Sequence, residues 1–388
     1  MITKQKVSMM DNETIKNFGA NIQRLINKEN LSKNESYDMF KQILCNKQPD
    51  LHQGAFLAAL TSKGETPQEI AGAWKAIVDY DTVKINDDLG DSVVENSGTG
   101  MDQLKTFNVS TAAGIVAAAH GVRLARHGSR ALTSSCGTVD ILESIGLNVE
   151  CDVSLVQKSI IHTNIGLFNG MSPKIHRNSL ARILSQIRFG STLNIAASLA
   201  SPYQATHALR GVYSKDIIEK VSKVMKEIGY QKGLIVHGKD SDNESGMDEL
   251  STIGESFVYE FSSDHKDICY TITPEDVGLK RTTYDKIAST GDINKESVRF
   301  LQVISGKGHE ECIDITCFNA GAILYITGKT TDIQEGVHLS REIIESGAAL
   351  NKLTQWICFQ SDPLKKGVQK YIEMATMANI KEEVSQTI

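Results

Sequence analysis

The spacing of apolar positions changes along this chain, and the change marks its organisation. Over residues 18–80 the apolar positions keep a helical period. Ser32-Lys33-Asn34-Glu35 reads as a capping box: the Ser32 hydroxyl can accept the Glu35 N–H while the Glu35 carboxylate reaches back. Met39, Phe40, Ile43 and Leu44 then fall on one face. Thr66-Pro67-Gln68-Glu69 repeats the signal, with Pro67 suited to the first helical position. Ile70, Trp74, Ile77 and Val78 supply the stripe that follows, and residues 51–60 between the two form an alanine-rich helix suited to close packing. This part predicts a unit made of helices alone.

From residue 90 onward, short apolar runs alternate with amphipathic stretches. Val93-Val94, Val122-Arg123-Leu124, Gly166-Leu167-Phe168, Leu234-Ile235-Val236 and Ala322-Ile323-Leu324-Tyr325 predict strands. Residues 110–120, 140–145, 215–228 and 333–346 predict helices. Strands alternating with helices imply a mostly parallel, covered sheet, so the fold class is α/β. Two β-rich runs, 255–261 and 267–272, separated by Ser262-Ser263-Asp264, predict an antiparallel hairpin on that sheet. Residues 362–388 are polar and charged and predict a surface helix or a partly frayed end.

Composition narrows the function. At 388 residues the chain can bury a large core, and 40% hydrophobic with 23% charged residues is ordinary for a soluble globular protein. A net charge of −6 offers no electrostatic footprint for nucleic acid or an anionic membrane. Seven cysteines, an odd number without Cys-x-x-Cys or paired-histidine spacing, argue against a disulfide framework and structural zinc. The first twelve residues lack the apolar core of a signal peptide, and the small-apolar run at 112–119 is too short to span a bilayer. A soluble, cytoplasmic protein is expected.

Candidate chemistry concentrates at Asn96-Ser97-Gly98-Thr99-Gly100-Met101-Asp102 and Thr106-Phe107-Asn108-Val109-Ser110-Thr111. A strand, a tight glycine turn and a helix start gather backbone N–H groups around one point, which favours a phosphate or diphosphate. Asp102 can face a cation on that phosphate, and Ser110 or Thr111 adds hydroxyls at the helix start.

These motifs resemble the anthranilate phosphoribosyltransferase family, whose donor loop reads Gly-Thr-Gly-Gly-Asp and then Thr-Phe-Asn-Ile-Ser-Thr. Arg126-His127-Gly128-Ser129-Arg130 resembles its Lys-His-Gly-Asn-Arg, and residues 136–143 its Ser-Gly-Ser-Ala-Asp-Val-Leu-Glu. Gly246-Met247-Asp248-Glu249-Leu250-Ser251 is similar to its acidic metal motif, and residues 278–281 and 319–322 follow in order.

The resemblance implies a small all-α N-terminal domain over 18–85, completed by a crossing segment near 150–205. A large α/β domain over 86–355 and a helical tail over 356–388 complete the division. It implies a Mg2+-dependent transfer of ribose 5-phosphate from phosphoribosyl diphosphate to an aromatic amine, by default anthranilate in tryptophan synthesis. Donor residues would be Gly98, Thr99, Gly100, Asp102, Thr106, Asn108, Ser110, Thr111, Arg126, Ser129 and Cys136. Gly98, His127, Ser129 and Arg182 would serve the acceptor, and Ser110, Asp248 and Glu249 the metal. A homodimer through the helical domain is also implied, and the two apolar stripes there offer more surface than a small helical unit needs.

Several positions depart from the pattern. Met101 fills a glycine position, and Arg126 replaces lysine with a planar fork. The register of the acceptor-clamping arginine falls on Leu184 or Ser185, with Arg182 and Arg188 nearby. Two other readings stay open: an enzyme of the wider superfamily with another nitrogenous acceptor, or a non-catalytic nucleic-acid-binding relative. The net charge and the carboxylates Asp102, Asp248 and Glu249 count against the second.

Overall fold

A computed structural model describes residues 12–85, 88–100, 102–130, 136–177, 179–241, 245–362 and 364–388. The chain divides into two compact units, Met1–Val83 with His176–Ala200, and Lys84–Ile175 with Ser201–Ile388.

The first unit is helical. Asn12–Ile26, Lys33–Leu44, Asp50–Lys63 and Pro67–Tyr80 are joined by Ser179–Ile187 and Thr192–Ser198. Both capping boxes form, at Ser32 with Glu35 and at Thr66 with Glu69. Met39, Phe40, Ile43, Leu44, Ile70, Trp74 and Ile77 are all buried. Inside the unit, the Trp74 indole donates to the Leu199 carbonyl at 3.0 Å. The expectation of surplus apolar surface on these stripes therefore fails, because one chain covers them by itself. Asp81 fixes the returning segment by accepting the N–H groups of Ser179 (2.9 Å) and Leu180 (3.1 Å). Beside it the buried His176 meets the Thr82 hydroxyl at 3.3 Å.

The second unit is a sheet with helices. Its strands are β1 (Val93–Ser97), β2 (Arg123–Gly128), β3 (Ile165–Asn169), β4 (His207–Gly211), β5 (Lys232–Lys239), β6 (Gly246–Met247), β7 (Ser256–Ser262) and β8 (Ile268–Ile272). The order is β3-β2-β1-β4-β5-β7-β8, with β6 also paired to β5. From β3 to β5 all pairs are parallel, and β6, β7 and β8 are antiparallel additions. The predicted hairpin is thus β7–β8.

Three readings change. Residues 322–325 belong to the helix Glu310–Ile326, not to a strand. That helix is buried along most of its length, so its apolar run carries no period to separate the two states. It packs on Val109–Ala119 and Ile333–Glu345. The strand β4 lacked a signal, since His-Ala-Leu-Arg-Gly contains no β-branched or aromatic run. The C-terminal segment is neither frayed nor superficial: Tyr371, Ala375, Ile380 and Val384 are fully buried, and the Tyr371 hydroxyl meets Thr354 Oγ1 at 2.9 Å. Among the described residues no helix is long and apolar enough to cross a membrane. All seven cysteines are free thiols.

Candidate active site

β1 ends at Ser97 and delivers the turn Gly98-Thr99-Gly100. Gly100 has φ +69°, a left-handed conformation that glycine tolerates. The Thr99 N–H donates to the Gly211 carbonyl at the end of β4 (3.2 Å), and the Leu104 N–H to the Gly246 carbonyl (3.2 Å). The helix Val109–Ala119 then begins, and the Asn108 side chain does not cap it. Asn108 Nδ2 instead donates to the Cys136 carbonyl at 3.2 Å. The helix start therefore presents N–H groups and the positive end of its dipole without a side-chain cap from Asn108.

β6 leads into the acidic pair. Asp248 and Glu249 are both buried, and Asp248 Oδ2 accepts the Gly100 N–H at 2.6 Å, with the Thr99 hydroxyl at 3.5 Å. A Cβ on Gly98 would lie 2.1 Å from Asp248 Oδ2, and one on Gly211 1.6 Å from the Asp248 carbonyl oxygen. Glycine at both places is a condition of this approach. Asn319 holds the residue that follows: its Oδ1 accepts the Leu250 N–H and its Nδ2 donates to the Leu250 carbonyl, each at 3.0 Å. The Thr106 hydroxyl donates to Glu249 Oε2 at 3.1 Å. Lys105 Nζ donates to Asp102 Oδ1 (2.7 Å) and to the Gly100 carbonyl (3.1 Å).

The electrostatics follow from crowding. Burial first, and then the Asp248 charge, push the Asp102 carboxyl up to about 6 against the opposing pull of Lys105. Burial, Asp248 and Asp102 hold Glu249 well above the ordinary carboxylate range. Among the described residues no set of three or more His, Cys, Asp or Glu side chains is gathered to enclose a metal ion. A hard cation needs less than that here. Magnesium takes one or two carboxylates, keeps water and draws its other oxygens from phosphate, so the crowded pair fits it.

The remaining predicted residues are distributed unevenly. Thr111 is fully buried, its hydroxyl 3.4 Å from that of Thr138. The Ser110 carbonyl accepts Asn96 Nδ2 at 2.6 Å. Arg126 is 2% exposed. Its Nη2 donates to the Asn96 carbonyl at 3.3 Å, while Nε and Nη1 have no hydrogen-bond partner among the described residues. Burial lowers its pKa to about 10, which Glu95 opposes. The buried His127 ring lies against Gly170, Ser129 is exposed, and Cys136 is buried with its thiol raised by that burial. Met101 lies outside the described residues.

The acceptor arginine is committed elsewhere. Arg182 Nη2 donates to the Ile43 carbonyl at 2.6 Å and Nη1 to Gln53 Oε1 at 3.2 Å, so it braces the helical unit. Arg188 is exposed, with φ +46° and its Nε on the Ser185 carbonyl. Sequence reasoning missed Lys105, which its place between Asp102 and Thr106 could have revealed. It also missed Arg210, fully buried with Nη1 on the Ser97 hydroxyl at 2.5 Å, which no local pattern announces.

Comparison with known proteins agrees with this geometry. Residues 90–350 match the α/β domain of the glycosyl transferase family, and residues 21–80 its helical bundle domain. The chain is 31% identical to an anthranilate phosphoribosyltransferase of Methanothermobacter thermautotrophicus, covering 88% of this chain and 98% of that one. To that of Methanothermobacter marburgensis it is 35% identical, over 85% and 95%. The Thermus thermophilus anthranilate phosphoribosyltransferase structure superposes with a TM-score of 0.78 at 28% identity, covering 87% of this chain and 98% of the other. A Saccharomyces cerevisiae structure, the same enzyme in complex with PRPP and Mg, shares the fold at 24% identity, with a TM-score of 0.78 over 90% and 99%. The glycine turn and its acidic partner thus sit in a protein of known kind: the chain belongs to the anthranilate phosphoribosyltransferase family of glycosyl transferases.

Proposed function

We propose that this pentosyltransferase moves ribose 5-phosphate from phosphoribosyl diphosphate to the amine of anthranilate, a step of tryptophan synthesis, with Mg2+ as cofactor. One observation carries the reading: Asp248 meets the Gly100 N–H across 148 residues of sequence, so the anion cradle and the acidic pair converge at one point. The names of the similar proteins support the same reaction, and the yeast enzyme was captured with PRPP and Mg.

Departure of diphosphate leaves an oxocarbenium-like sugar, so charge grows on the leaving group. Magnesium, when bound, neutralises part of that charge. Asp248 and Glu249, with the Ser110 hydroxyl, would hold the cation. The N–H groups of Gly98 and Gly100, the Thr99 hydroxyl and the helix start at Asn108 orient the diphosphate, while the Thr99 N–H stays on the Gly211 carbonyl. Asp102, Thr106, Thr111, Arg126, Ser129 and Cys136 complete the donor side. Gly98, His127 and Ser129 serve the acceptor, while Arg182 keeps its bracing role. A homodimer in the cytoplasm belongs to the same proposal.

The test is diphosphate release with a panel of aromatic amines. Release with anthranilate, dependent on magnesium, is expected. Folded protein releasing nothing with any amine in the presence of magnesium would overturn the assignment.

A further inference from the structure

Asp248 fills the glycine turn that the proposed function assigns to the donor's diphosphate. Its Oδ2 accepts the Gly100 N–H at 2.6 Å and lies within 3.5 Å of the Thr99 hydroxyl. The whole carboxylate packs against Gly98, since an added Cβ would meet Oδ2, Cγ and Oδ1 at 2.1, 2.3 and 2.7 Å. A carboxylate that takes a backbone N–H and a hydroxyl of a glycine turn is chemically an anion in an anion cradle. The Asp248 backbone is fixed by Gly211 and, through Leu250, by Asn319. The side chain is then held by the turn itself.

We infer that Asp248 is an internal occupant of the diphosphate cradle, and that magnesium opens the cradle by drawing this carboxylate onto itself. The inference rests on the proposed function, because it gives Asp248 two exclusive positions: in the glycine turn, or on the cation. Diphosphate arriving alone must displace a fixed negative charge and its charge-assisted hydrogen bond. Diphosphate arriving as its magnesium chelate brings the group that removes the obstacle. Two neighbours favour the exchange. Asp102 and Glu249 place two further carboxylates within electrostatic reach of Asp248, and a cation relieves a crowding that the turn alone does not. Lys105 stays with Asp102 and the Gly100 carbonyl, and keeps the turn in shape when Asp248 leaves.

The experiment is calorimetric titration of inorganic diphosphate into wild-type protein and Asp248→Ala, each with EDTA and with magnesium. Asp248→Ala should bind diphosphate in EDTA about ten- to a hundred-fold more tightly than wild type, the weight of one charge-assisted hydrogen bond. It should lose the gain in affinity that magnesium gives the wild type. Equal or weaker binding by the variant in EDTA, with normal magnesium-dependent binding by wild type, would overturn the inference and leave the proposed function standing. Binding by neither protein under either condition would remove both. A wild-type measurement covers a variant that does not fold: the Gly100 amide should exchange slowly in EDTA and faster when magnesium alone is added. Unchanged protection would overturn the inference by itself.

Discussion

The glycine turn and the segment from Ser179 to Ser198 treat their polar groups in opposite ways. At the turn, groups with strong electrostatic demands are brought together and left partly frustrated: two buried carboxylates, a raised Asp102, and a helix start its N-cap residue does not serve. Along Ser179–Ile187 the polar groups are settled, with Asp81 on the helix N–H groups and Arg182 on Ile43 and Gln53. Frustration retained at one place and removed at another separates a site from a scaffold. In this protein it separates the proposed donor site from a segment whose polar groups are spent on holding the helical unit together.

The largest effect should come from the acidic pair. Asp248→Asn with Glu249→Gln should lower turnover by about a thousand-fold or more while thermal unfolding changes little, because the interactions lost act on the leaving group. Steady-state kinetics beside a melting curve decide it, and near-normal turnover would erase the contrast. Gly98→Ala should cost about a hundred-fold, since its methyl group takes the space of the Asp248 carboxylate. Glycine at that place would be dispensable if the variant turned over normally.

Arg182→Ala should act on stability instead, by about 3 kcal/mol for two bonds to a buried-side charge, with the KM for anthranilate nearly unchanged. A raised KM at constant stability would return Arg182 to the acceptor. With leucine and serine in the arginine register, anthranilate should be preferred over aniline-like amines by about tenfold or less. The ratio of specificity constants measures this directly.

The last effect sharpens the contrast through pH. Burial pushes His176 down to about 4 from 6.5, and Asp81, 3.9 Å away, is already engaged by Ser179 and Leu180. As pH falls below 6.5 the unfolded chain protonates this histidine first, so stability is full above 6.5 and is lost toward 4. The loss should be about 3 kcal/mol, and His176→Gln should flatten the slope of stability between those limits. An unchanged slope in that variant would assign the acid sensitivity to other groups.

What was legible in the sequence depended on how local its cause was. Capping boxes, helical stripes and the glycine turn are set by neighbours in the chain, and they stand as read. The helix Glu310–Ile326 was misread in part because burial on all sides erases periodicity. Convergence was not legible in detail. Nothing near Asp248 says that its carboxylate reaches Gly100, or that Asn319 holds Leu250 in place, because each contact closes a long loop of chain. The fate of Arg182 was hidden for the same reason: the partners that engage it, Ile43 and Gln53, lie far upstream.

The most direct test is calorimetric binding of phosphoribosyl diphosphate, with magnesium present, to wild-type protein and to Asp248→Asn with Glu249→Gln. The expected result is saturable wild-type binding that weakens by about a hundred-fold or more in the double variant. Equal binding by the two proteins, or none by folded wild type, would contradict a donor site built from the glycine turn and the acidic pair.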